Sequence, residues 1–173
     1  MRNVKARKNK ALGIIDQIMQ ILETQVFGKY HFEVAMVLRS SLFLSSVLLN
    51  SEAWVNLSDQ DIRSLEQSDE ILISKILDAT TNTSNAFKYL ELGIYPLKFE
   101  IMKRKIIFLQ YLLQQDKSSM IYQVLQATLN NPIKNDFVKT CQQYLKDLNI
   151  NLSFEQIAET SKWKFKKLSM KRS

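Results

Sequence analysis

LLNSEAWVNLSDQDIRSLEQSDEILISKIL, residues 48–77, decides the fold. It reads as the end of one apolar helix, a short joint, and the start of a second helix. Leu57-Ser58-Asp59-Gln60-Asp61-Ile62 is a strong start signal. Ser58 supplies a capping oxygen, Asp59 and Asp61 meet the positive end of the helix dipole, and Leu57 is spaced to staple onto Ile62. The helix then carries Ile62, Leu65, Asp69, Leu72 and Ile76 along one stripe. Asp69 interrupts an otherwise apolar face, so either a partner neutralises it or the helix tilts to keep that turn wet. In the joint, Trp54 reads as a wedge between the two elements. Glu52 either accepts the orphan donors of the next helix or pairs with a lysine across the joint. Both are structural roles.

Outward from this stretch the helical spacing continues. Ala11–Val26 repeats apolar residues at one-turn intervals, and Gly28 is placed to stop it. Residues 30–50 form an apolar helix expected at the centre of the core. Residues 80–85 are polar and loop-like. A short helix, 86–92, ends at Gly93, with Pro96 opening the next, 97–113. Further helices are expected over 118–129 and 133–148. Ser153 and Gln156 make a second capping box, with Leu152 and Ile157 as its staple. Three glycines and two prolines in 173 residues leave too few turn residues for an all-β fold. The expectation is an all-α, irregular multi-helix bundle of about seven to nine helices, with a basic segment at 1–10, a helical domain at 11–160, and a basic, aromatic tail at 161–173.

The net charge of +7 is unevenly placed. Residues 1–10 hold Arg2, Lys5, Arg7, Lys8 and Lys10 without an acid. The tail holds Lys162, Lys164, Lys166, Lys167, Lys171 and Arg172, also without one. These two ends exceed the whole net charge, so the middle is net negative. A polyanion would meet the ends, not the body. Lys103, Arg104 and Lys105 form a third cluster in the first half of the 97–113 helix. It reads as a solvated face or as a phosphate contact. In Lys162-Trp163-Lys164-Phe165-Lys166-Lys167, charge alternates with aromatic rings. That pattern suits nucleic acid by charge and stacking, or a tail anchored on the core.

Catalytic constellations are missing. One cysteine, Cys141, and one histidine, His31, assemble no zinc site, and the glycines are too few for a phosphate loop. Asp59 and Asp61 fit cap chemistry better than metal binding. No cofactor is expected. A lone cysteine suits a reducing, intracellular compartment. The most apolar window, 34–49, contains Arg39 and four serines, so no membrane span is expected.

A family resemblance adds to this reading. Ser51-Glu52-Ala53-Trp54, the Leu57-Ser58 helix start, Leu65-Glu66 and the apolar run from Ile71 to Leu77 resemble the region after the catalytic palm in reverse transcriptases of LINE-type (non-LTR) retrotransposons. Tyr89-Leu90-Glu91-Leu92-Gly93 followed by Pro96-Leu97 resembles the family's next step. Met102 to Lys105 with Phe108 to Leu113 resembles its basic, apolar helix, and Asn131 to Phe137 a later segment. The resemblance implies a thumb-like, post-palm fragment that holds a template–primer. Its candidate contacts are Arg2, Lys5, Arg7, Lys8, Lys103, Arg104, Lys105, Lys162, Lys164, Lys166 and Lys167, with RNA or an RNA/DNA duplex as partner. Glu52, Trp54, Ser58, Gly93 and Pro96 would be structural. The palm's aspartate pair is missing from this chain, so the resemblance implies no polymerase activity here. The alternative is a structural or protein-interaction module that self-associates through an exposed apolar face.

Overall fold

The computed structural model describes residues 2–54, 57–80, 82–131 and 137–160, with side chains from residue 4 onward. Among the described residues every regular element is helical and no strand occurs, as the glycine and proline scarcity predicts. The chain divides into two compact units. Unit 1 comprises 1–49 and 57–98; unit 2 comprises 50–56 and 99–173.

Unit 1 begins with α1 (Arg2–Thr24), which packs against α4 (Asp59–Ile76). The helix is therefore continuous through the segment expected to be a basic extension. Ala11, Ile14, Ile15, Ile18 and Leu22 form its buried stripe. It ends at Thr24, whose hydroxyl bonds back to the Gln20 carbonyl at 2.7 Å. Gly28 does not cap it; with φ +51 it opens the next short turn, a 3-10 helix over Gly28–Tyr30.

The next helix changes its winding. α2 (His31–Leu38) passes into a π-helical stretch, Arg39–Leu44, and then into α3 (Ser45–Val47). Serine hydroxyls shadow this change: Ser40 and Ser41 both donate to the Val37 carbonyl, at 2.9 and 2.7 Å. The apolar sequence suggests burial on most sides, but only one side is covered. Ala35, Phe43, Leu44, Val47 and Leu48 are buried, while Phe32, Val37, Leu42 and Leu49 face outward.

α4 follows its sequence reading closely. Ser58 Oγ accepts from Asp61 N at 3.1 Å and Asp61 Oδ2 accepts from Ser58 N at 3.2 Å, completing the capping box. Ile62, Leu65, Asp69, Leu72 and Ile76 are all buried. Asp69 is fully buried because it has a partner: Arg39 Nε and Nη2 grip its two oxygens at 2.8 and 2.7 Å. This two-pronged geometry is the strongest arrangement available to an arginine–carboxylate pair. Tyr89 of α5 (Asn85–Glu91) is buried with its hydroxyl unpartnered among the described residues. Burial raises its phenol well above the ordinary value, and the Asp69 charge adds to the rise.

Three helix ends follow one pattern. After α5, Gly93 takes φ +60, with Gly93 N donating to Leu90 O and Ile94 N to Tyr89 O. This is the double bond of a left-handed C-terminal cap. Asp78 (φ 48) makes the same ending for α4, and Asn149 (φ 53) for the helix before it in unit 2. Asp and Asn tolerate the left-handed region better than other residues with a Cβ, which compensates for the lack of glycine.

Unit 2 is built on α6 (Leu97–Leu113), whose first two residues belong to unit 1, with α7 (Met120–Asn130), α8 (Phe137–Asp147) and α9 (Phe154–Glu159). Met102 and Ile106 pack with Tyr144, Leu145, Leu148, Ile150 and Ile157. Leu109 packs with Leu125, Val138 and Cys141. Ser153 and Gln156 form the expected second capping box. The far end of α9 is held from α6. Gln110 donates to the carbonyls of Ile157 and Thr160 at 3.2 and 2.7 Å, and Gln114 to that of Ala158 at 2.8 Å. Carbonyls that a six-residue helix cannot satisfy internally thus find donors.

Candidate nucleic-acid interface

The three basic clusters fare differently. On α1, Lys5 is exposed, and Lys8 donates to Gln67 Oε1 of α4 at 3.2 Å. Arg7 is half-buried and donates to the Val47 carbonyl at 3.0 Å, and burial lowers its pKa. Arg2 opens the helix, and its side chain lies outside the described set. α1 has no acid in its first turn. Cations at this end oppose the helix dipole, and the arrangement costs roughly 0.3–1 kcal/mol per residue near the terminus.

On α6, in unit 2, the cluster does not stay together. Lys103 is half-buried and lies 3.8 Å from Glu100, one turn back. Arg104 is also half-buried. Lys105 turns inward: it is 1% exposed and donates to the backbone carbonyl of Trp54. Its ammonium lies 5.8 Å from the Tyr144 ring centre. Burial pushes its pKa down. Lys105 therefore serves the interior and is withdrawn from any surface contact with phosphate. Heptad position explains this: Lys105 sits one turn from Met102 and Ile101 on the buried face, where only a long stem with a polar tip fits.

The joint residues also separate. Trp54 is half-buried, and its carbonyl receives the Lys105 ammonium. Glu52 is half-buried, and among the described residues its carboxylate makes neither a hydrogen bond nor an ion pair. The lysine expected across the joint is present, but it takes Trp54 and not Glu52. Gly93 fulfils its capping role, and Pro96 immediately precedes α6. Lys162, Lys164, Lys166 and Lys167 lie outside the described residues.

Two lysines that the linear sequence does not group stand out in unit 1. Lys75 of α4 and Lys88 of α5 join Lys8 around one cleft of about 490 Å³. They are far apart in sequence, and only the packing of α1, α4 and α5 collects them. No group of three metal-ligating side chains occurs among the described residues. No helix there is long and apolar enough to cross a membrane. His31 is half-buried, edge-on to Phe32 at 5.7 Å, and Cys141 is a buried free thiol. Compared with known family models, curated proteins and solved structures, the chain finds no match.

Proposed function

We propose that the chain is a helical, nucleic-acid-contacting fragment of the LINE-type reverse-transcriptase thumb kind, without polymerase chemistry of its own. One observation carries the reading. The first turns of α1 hold Arg2, Lys5, Arg7 and Lys8 with no acid in the first turn. Such a helix end is self-unfavourable, and a bound polyanion relieves it. Lys103 and Arg104 on α6, with the tail lysines 162, 164, 166 and 167, extend the same charge preference. Lys105 does not take part.

Binding of purified chain to a labelled RNA/DNA duplex, titrated from low to moderate salt, tests the reading. If the four α1 cations each meet a phosphate, the slope of log K against log salt is roughly −3 to −4. Neutralising Lys5 and Lys8 together should reduce that slope by about two. Absence of duplex binding at low salt refutes the proposal.

The α7 surface favours a second reading, a protein-interaction module. Met120, Ile121 and Val124 are exposed beside a cleft of about 380 Å³ that Leu112, Phe137 and Val138 help to line. Light scattering that shows concentration-dependent mass, abolished by Val124→Glu, would favour it.

A further inference from the structure

Lys88 is 6% exposed, yet among the described residues none of its contacts is with an acid. Its ammonium donates to Ser74 Oγ at 3.0 Å and to Asn85 Oδ1 at 3.3 Å, both neutral acceptors. Among the described residues no carboxylate is in ion-pair contact with it. An ammonium has three donors, so one N–H has no acceptor among the described residues. A buried cation is normally paired, because neutral acceptors alone replace its lost hydration poorly.

Lys88 also lines the cleft of about 490 Å³ shared with Lys8 and Lys75. Lys8 is held by Gln67 at 3.2 Å, and Lys75 by Asp16 at 3.3 Å in a largely exposed pair. Exposed pairs of that kind are weak and readily exchange partners. Among the described residues lining the cleft Glu70 is the one carboxylate, and Asp16 stands at its rim against Lys75, so three lysines meet two acids, neither of them in contact with Lys88. Ile71 and Ala79 add an apolar stretch to the same wall.

From these observations we infer that the Lys8–Lys75–Lys88 cleft is a phosphate-binding site. The remaining N–H of Lys88 bonds a phosphate oxygen at the back, and Lys8 and Lys75 close on the others from the rim. The apolar wall beside them accommodates a sugar ring, so the preferred class is a sugar phosphate. The inference rests on the proposed function only for the source of that phosphate, a nucleic-acid backbone.

Thermal melting of the whole chain with inorganic phosphate and with ribose 5-phosphate is the first arm; binding of a labelled RNA/DNA duplex is the second. Each is run on wild type, on Lys88→Met, and on a rim variant carrying Lys8→Gln and Lys75→Gln. The expected result is a melting-temperature rise with ribose 5-phosphate that Lys88→Met abolishes. Duplex affinity should fall at least about tenfold in that variant, the size of a lost charge-assisted hydrogen bond. The salt slope should shrink by about one. If neither ligand shifts the melting temperature and the variants bind duplex as wild type does, the site is refuted. A ribose 5-phosphate shift lost in Lys88→Met, without duplex binding by wild type, keeps the cleft and refutes the nucleic-acid reading. Duplex binding by wild type that Lys88→Met leaves unchanged, with no small-ligand shift, refutes the cleft alone. Should Lys88→Met fail to fold, the ribose 5-phosphate arm of the rim variant decides: its two side chains lie at the cleft edge, and an unchanged melting shift there refutes the cleft.

Discussion

Removing one member of the Arg39–Asp69 pair should be the most damaging single change in unit 1. Asp69 is 0% exposed and Arg39 5%, so neither charge retains much water. Asp69→Ala leaves a buried guanidinium without its carboxylate, and Arg39→Met leaves a buried carboxylate without its guanidinium. Breaking one partner of a buried pair costs about 3–5 kcal/mol. With a urea dependence of about 2 kcal/mol per molar, the midpoint should fall by about 2 M. The double variant Arg39→Met, Asp69→Leu removes both charges and keeps the volume roughly filled. It should recover most of the loss and could exceed wild type, because the desolvation penalty of both ions disappears. Urea titration by far-UV circular dichroism reads the midpoints, and hydrogen exchange of α4 amides localises the effect to unit 1. A single-variant shift below about 0.5 M would refute the reasoning, because it would mean that water reaches the pair. Equal loss in the single and double variants would refute it differently, by showing that the deficit is one of packing.

Other changes test separate points. Tyr89→Phe removes a buried hydroxyl that has no partner among the described residues, and should be neutral or stabilising by up to about 1 kcal/mol in the same melts; a clear loss would mean that the hydroxyl is satisfied. Gly93→Ala should cost about 1–2 kcal/mol through backbone strain alone, since φ is +60 and no atom lies within 4 Å of an added Cβ. Lys105 has its pKa lowered by burial. Between that folded value and the ordinary lysine value the unfolded chain binds more protons, so stability rises with pH across that window. Lys105→Met should flatten this alkaline rise, as pH-dependent urea melts would show. Asp116 is shifted the other way, downward, by the backbone and side-chain hydrogen bonds of Ser118. Its contribution is present at neutral pH and lost as pH falls through the folded value, and Asp116→Asn should remove that acid dependence.

Local signals were the legible ones. The reading of residues 97–113 coincides with α6, and both capping boxes form with the residues the spacing names. Such features depend on residues within one turn of each other. Asp69 marks the limit: its position on an apolar stripe raises the question of a partner, but that partner lies 30 residues away in a π-helical stretch without a periodic signature. Lys105 shows the converse. Its neighbours Lys103 and Arg104 make it read as surface charge, and only its register on α6 turns it inward. Asp78 and Asn149 were hidden for another reason, since neither is the glycine that marks such an ending most clearly. The Lys8, Lys75 and Lys88 cleft was illegible because three helices contribute one lysine each.

The bond between Lys105 and the Trp54 carbonyl also sets a schedule for synthesis. The two residues are 51 positions apart, and residues 50–56 belong to unit 2 while the chain on both sides of them belongs to unit 1. At roughly 5–20 residues per second, a ribosome needs about 3–10 s to make the intervening chain. During that interval the tryptophan peptide has been synthesised but its lysine has not. A chain synthesised only as far as residue 98 would contain all of unit 1 while the Trp54 carbonyl still lacked its Lys105 partner.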